Sequence, residues 1–158
     1  MADILIIGAG LAGCEAAYQV SRRGLRVELH EMRPEILTPA HKTGLLAEIV
    51  CSNSLGSENK DGRITAAGIL KEELKILDSL ILSCAEESRV PAGGALAVDR
   101  DKFSALVTER ITNDPNITLI RKEYTHLPAM TAIISSGPLT SDTLAENLRS
   151  ITSPTAAI

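Results

Sequence analysis

The stretch Ile4-Leu5-Ile6-Ile7-Gly8-Ala9-Gly10-Leu11-Ala12-Gly13 constrains this chain more than any other. An apolar run of strand length passes straight into Gly-x-Gly-x-x-Gly. An alanine-rich segment of helical character, residues 11–23, follows and is closed by Gly24. A second apolar run, residues 25–31, ends in an acid, Glu31. Strand, glycine turn, helix, strand and acid make up a βαβ opening suited to a dinucleotide. Gly8 permits the tight turn, Gly10 lets a pyrophosphate approach the backbone, and Gly13 lets helix and strand pack closely. Free N–H groups at the helix start, with the helix dipole, attract the anion. The candidate cofactor-binding residues are therefore Gly8, Ala9, Gly10, Leu11, Ala12 and Gly13, with Glu31 accepting from a ribose diol.

Beyond Glu31 the pattern changes. Residues 32–44 hold two prolines and no period, so a loop is expected. A short helical piece is expected at 45–50 and polar turns at 52–62. A long helix is expected over 64–89, with Ile69, Leu70, Leu74, Leu77, Leu80 and Ile81 on one face. Pro91 to Leu96 breaks it. A short strand at 95–99, a helix at 100–113, two or three antiparallel-looking strands between 116 and 136, a Gly137-Pro138 turn and a last helix at 140–150 complete the reading. An NAD domain would add βα units at short intervals. Some sixty residues of loop and helix before the next strand instead match the layout of flavoproteins, in which an N-terminal βαβ unit binds FAD and later strands close the sheet. An acid at position 31 also favours a free 2′-hydroxyl.

Composition narrows the partners. The net charge of −4 gives no overall basic footprint, so any nucleic-acid contact would be a local patch. No apolar run reaches the roughly 20 residues of a membrane span, and no metal-binding pattern is present. Three cysteines without a pairing pattern point to a reducing, cytoplasmic setting. Cys14 reads as a small core residue on the first helix, and Cys84 also falls on a predicted helix. Cys51 differs: it lies in Val50-Cys51-Ser52-Asn53-Ser54-Leu55, among small polar residues.

The segments "IIGAGLAGCEAA", "EMRP", "TPAHKT", "AEIVCSNSL", "GILKEEL", "LDSLIL", "VPAGGALAVDRDKF" and "SSGPLTS" occur in order between residues 3 and 150. Together they resemble the N-terminal part of the folate- and FAD-dependent tRNA (uracil-5-)-methyltransferases, the TrmFO or Gid family. The MnmG or GidA flavoproteins of tRNA wobble-uridine modification share a similar glycine turn and are the second resemblance. The first implies an α/β, Rossmann-like FAD-binding domain, with 1–158 as its N-terminal portion and the domain incomplete at the C-terminus. It also implies transfer of a one-carbon unit from methylenetetrahydrofolate, by way of reduced FAD, to C5 of a T-loop uridine in tRNA. NAD(P)H would supply electrons, and the uridine would be extruded from its stack.

The resemblance gives "VCSNSL" a purpose. C5 of uracil is a poor nucleophile until something adds to C6, and a base must later remove the C5 proton. The family is similar in using two cysteines for these tasks. Cys51 falls on one of them, as nucleophile or base, and the other is expected outside these 158 residues. A thiol near neutral pH is only a few per cent thiolate, so Cys51 would need His41, Lys42 or the flavin nearby. Weaker signals leave two readings each. Arg100 lies near the cofactor phosphates or caps a helix. His41 lines the flavin or folate pocket or sits in a surface loop. Asn53 and Ser54 meet the flavin ring or cap a turn. Gly93 and Gly94 pass near the cofactor or end a helix. Arg22, Arg23 and Arg26 touch phosphate or form a solvated turn. Gly56 stands where the family pattern leads one to expect a basic residue. The other class of function is a dinucleotide-binding module without catalysis.

Overall fold

Alternation along the first strand sets the architecture. In β1 (Ile4–Ile7), Ile4 and Ile6 face one layer of helices, while Leu5 and Ile7 face the other way. The computed structural model describes residues 1–152. β1 pairs in parallel with β2 (Val27–His30) on one side and with β7 (Ala132–Ile134) on the other. β2 pairs in parallel with β6 (Ile117–Ile120), giving the order β6-β2-β1-β7. The chain therefore reverses its direction of travel across the sheet between β1 and β7. In doubly wound sheets that crevice, at the carboxyl ends of the strands, is where ligands bind.

The larger core packs on the Ile6 face. It joins Ile6, Val27, Leu29 and Ile117 to Cys14 and Ala17 of α1 (Leu11–Ser21) and to Phe103, Val107 and Ile111 of α4 (Arg100–Thr112). Leu80, Leu82, Cys84 and Ala85 of α3 (Leu80–Glu87) extend it. On the opposite face Leu5 and Ile7 meet Leu144 of α5 (Asp142–Thr152), with Tyr124 and Leu148 beside them. The expected α/β, Rossmann-like layout is present. Among the described residues no helix is long and apolar enough to cross a membrane.

Several expectations about the middle of the chain are corrected. The long helix over 64–89 is two helices, α2 (Ala66–Ile76) and α3. Asp78 takes a left-handed φ of 54°, and the Ser79 side chain caps α3 by accepting from Leu82 N–H. An aspartate followed by serine favours this stop and restart over continuation. The break rotates the apolar face. Leu74, Leu80 and Ile81 pack on the core, whereas Ile69, Leu70 and Leu77 are exposed. Residues 45–50 are not helical. Ala47 has φ 50° and donates its N–H to the Ala9 carbonyl at 2.9 Å, so tertiary bonding replaces the helix. The segment expected as polar turns contains β3 (Ser54–Ser57), which pairs antiparallel with β5 (Ala95–Val98). β4 (Arg89–Val90) completes a separate antiparallel sheet, β3-β5-β4. The antiparallel pairing thus belongs to this insert, and β6 and β7 join the parallel sheet instead.

Candidate functional site

A cavity of ≈ 320 Å3 opens at the β1/β7 crevice. Gly8, Gly10, Leu11 and Ala12 line its floor, His30 to Arg33 one side, and Ser135 to Ser141 the other. The three glycines do different physical work. Gly8 has φ +96°, and a Cβ there would lie 2.7 Å from Ser136 Cα, where the turn crosses the end of β7. At Gly13 a Cβ would come within 1.8 Å of the Gly8 carbonyl oxygen, so this glycine sets how closely α1 approaches β1. At Gly10 nothing lies within 4 Å of a built Cβ. Gly10 is also the N-cap of α1 and offers no side-chain cap, whereas α2, α3 and α4 are capped by Thr65, Ser79 and Asp99. The first N–H groups of α1 are left to another acceptor. An open cradle and uncapped donors suit the pyrophosphate of a dinucleotide.

Ala9, named with the turn, is fully buried, and its N–H is already committed to Glu31 Oε2 at 3.0 Å. Glu31 lines the cavity but is only 6% exposed. Its second oxygen, Oε1, accepts from Arg33 N–H at 3.1 Å and Arg33 Nε at 2.9 Å, while Arg33 Nη2 lies 3.2 Å from Oε2. A carboxylate has about four acceptor sites. A ribose hydroxyl reaching Glu31 would therefore share an oxygen with one of these donors. Burial raises the Glu31 pKa, but the hydrogen bonds from Arg33 and Ala9 outweigh it and hold the acid below its ordinary value. Glu48 follows the same pattern: burial raises it, and bonds from Lys42 N–H and from the Thr43 hydroxyl and N–H bring it below the ordinary value. Arg33, which sequence reading passed over, is therefore central. Its only signal was an arginine two residues beyond the strand-end acid.

Both acids carry a pH expectation. Their folded-state values are depressed, so the stability they add is present above the ordinary glutamate value of 4.5 and is lost as pH falls through the folded values. Thermal unfolding followed between neutral pH and about pH 3 should show a midpoint that declines below that value. A Glu31→Gln, Glu48→Gln double variant should show a shallower decline; an equal slope would mean that the acid sensitivity lies elsewhere.

His41 is brought to the same cavity, with Thr38, Glu48 and Val50. Burial and the nearby Arg33 charge lower its pKa, and its Nδ1 lies 2.6 Å from Thr38 Oγ1. His30 forms part of the wall, edge-on to Tyr124 at 4.9 Å. Its Nδ1 is the one buried side-chain polar atom without a partner among the described residues.

Cys51 and Arg100 lie elsewhere. Neither lines this cavity; they share a shallow depression with Ser52, Asn53, Val90, Val98, Asp99 and Asp101. Cys51 is exposed, whereas Cys14 and Cys84 are buried. Arg100 opens α4 but does not cap it: the cap is Asp99, whose side chain accepts from Asp101 and Lys102 N–H. Of the cations expected to serve Cys51, His41 and Lys42 are absent from this depression, which Arg100 lines between Asp99 and Asp101. Arg22 and Arg26 are engaged with Asp78 and Asp3 on the surface.

The chain matches the family model for glucose inhibited division protein A over residues 3–150. It belongs to that family. Among curated relatives, the methylenetetrahydrofolate–tRNA-(uracil-5-)-methyltransferase TrmFO of Geobacter sulfurreducens is 57% identical over 150 residues, covering 94% of this chain and 34% of the relative. The Bacillus subtilis protein of the same name is 54% identical over 147 residues, covering 93% of this chain and 33% of its own length. The chain thus spans about a third of the length of the curated relatives it matches, and it corresponds to their N-terminal part. Among solved structures, Aquifex aeolicus GidA superposes with a TM-score of 0.63 at 17% identity, covering 81% of this chain and 21% of that one. Glycine oxidase from Geobacillus kaustophilus gives 0.59 at 12% identity, covering 93% and 58%. At such low identity these two likenesses speak for the fold alone.

Proposed function

We propose that this chain is the FAD-binding part of a methylenetetrahydrofolate-dependent tRNA (uracil-5-)-methyltransferase that forms 5-methyluridine in the T loop. The open cradle at Gly10, set beneath uncapped donors at the β1/β7 crevice, carries the reading. The names of the relatives supply the folate and the tRNA. FAD, when bound, would supply the carrier and reductant for the one-carbon unit, with NAD(P)H as the source of electrons and the cytoplasm as the setting.

The residues of this chain divide the remaining work. The α1 N–H groups and the Gly10 backbone hold pyrophosphate, and Glu31 faces the adenosine ribose. Cys51 acts on the uracil ring, as nucleophile at C6 or as base at C5. Its exposure suits a uracil ring brought in from outside.

The reading is tested by colour and affinity. The purified chain should carry a yellow chromophore that fluoresces as flavin after denaturation. In a Glu31→Ala variant that remains folded, FAD affinity should fall by about 1–3 kcal/mol. A colourless chain that takes up neither FAD nor ADP would overturn the reading, and a loss below about 0.3 kcal/mol would remove Glu31 from it.

A further inference from the structure

Arg33 heads the fully buried side chains by size, and the dinucleotide reading gives it no task. Its guanidinium is divided between two acids. One edge grips Glu31 through Nε and Nη2, at 2.9 Å and 3.2 Å. The remaining Nη1 reaches Glu48 Oε2 at 3.1 Å. A planar fork can hold two carboxylates in one fixed geometry, which a lysine ammonium cannot reproduce.

Each acid is anchored to a different piece of backbone. Glu31 accepts from Ala9 N–H, in the middle of the glycine turn. Glu48 accepts from Lys42 N–H at 2.9 Å, Thr43 N–H at 3.1 Å and the Thr43 hydroxyl at 2.9 Å. Three residues beyond Glu48 the same segment delivers Cys51. Arg121 secures the clamp from behind, donating Nη1 to the Arg33 carbonyl at 2.9 Å.

We propose that Arg33 is a positioning residue that clamps the glycine turn, through Glu31, to the segment carrying Cys51, through Glu48. The cavity and Cys51 lie in separate depressions, and this clamp makes occupancy of one felt at the other. Only its ligand arm rests on the dinucleotide reading.

The first test needs no ligand. Glu48→Ala cuts the far end of the clamp and leaves Arg33 paired with Glu31. Ala9 N–H touches Glu31 and not Glu48, so its hydrogen exchange reports transmission. It should quicken by at least about fivefold in Glu48→Ala. In an Arg33→Lys, Glu48→Ala double variant it should be no faster than in Arg33→Lys alone, the non-additivity expected of one shared path. Unchanged Ala9 exchange in folded Glu48→Ala would overturn the clamp. The second test compares iodoacetamide labelling of Cys51 with and without ADP, at ADP levels shown by calorimetry to saturate each variant. ADP should alter the wild-type rate at least about threefold and alter the Glu48→Ala rate clearly less, the remainder passing through the Ala47 N–H to Ala9 carbonyl bond that the substitution leaves in place. Bound ADP with no change at wild-type Cys51 would also overturn the proposal. Failure of ADP to bind at all would instead overturn the dinucleotide reading, with the Ala9 exchange still deciding the clamp.

Discussion

Gly10→Val should abolish binding of ADP and FAD while leaving the chain folded. Gly10 has φ −74° and ψ −167°, a conformation open to any residue, and a Cβ there meets nothing within 4 Å. The folded state should therefore lose about 1 kcal/mol at most, the difference between glycine and a poor N-cap residue. The empty space matters only to a ligand. An isopropyl group would occupy the approach of the pyrophosphate to the first N–H groups of α1. Affinity should fall at least about a hundredfold, or roughly 2.7 kcal/mol. Gly13→Ala should behave in the opposite way. Its Cβ would sit 1.8 Å from the Gly8 carbonyl oxygen, so helix and strand would have to separate. That should cost about 1–3 kcal/mol of stability or more. Calorimetric titration with ADP and thermal unfolding of both variants separate the two roles. A folded Gly10→Val chain that binds ADP with wild-type affinity would remove the cradle from the account.

The contrast between the two glycines shows what was legible in the sequence. The order of strand, turn, helix, strand and acid is local, and each step is enforced by chemistry within a few residues. β1, α1 and β2 therefore appear where the pattern places them. Between residues 45 and 89 the pattern fails for a physical reason. Ala47 leaves helical geometry because its N–H is taken by Ala9, nearly forty positions away. β3 is a polar edge strand, Ser54-Leu55-Gly56-Ser57, with no apolar alternation to reveal it. The stop at Asp78 and the cap at Ser79 were written in the sequence, but the apolar residues on either side, Ile76-Leu77 and Leu80-Ile81-Leu82, masked them. Glu31 could be placed because it ends a strand. Its partner Arg33 could not, because what makes it matter is Glu48, which only the fold brings within reach.

Cys51 should react with iodoacetamide far faster than Cys14 or Cys84. Three thiols of one chain make an internal comparison in which reagent and conditions cancel. Cys14 is fully buried, donates toward the Ala9 carbonyl at 3.3 Å, and is pushed up to about 12 by burial and then by the Glu31 charge. Cys84 is also fully buried and is pushed up to about 11, chiefly by burial. Thiolate fraction and access both set the rate, and both are suppressed at these two sites. Cys51 is exposed and shares its depression with Arg100. A ratio of at least about a hundredfold is expected, since a rise of two or more pKa units alone removes that much thiolate near neutral pH. Peptide mapping after a short pulse of reagent reads all three sites together. The chain alone should not methylate tRNA, because the reaction as proposed needs a second cysteine that these residues do not supply. In a full-length relative, replacing the cysteine that aligns with Cys51 by alanine should abolish methylation while FAD stays bound. Labelling of Cys51 no faster than the helical cysteines would make "VCSNSL" a structural segment. Normal methylation by the alanine variant would keep the family and take this thiol out of its chemistry.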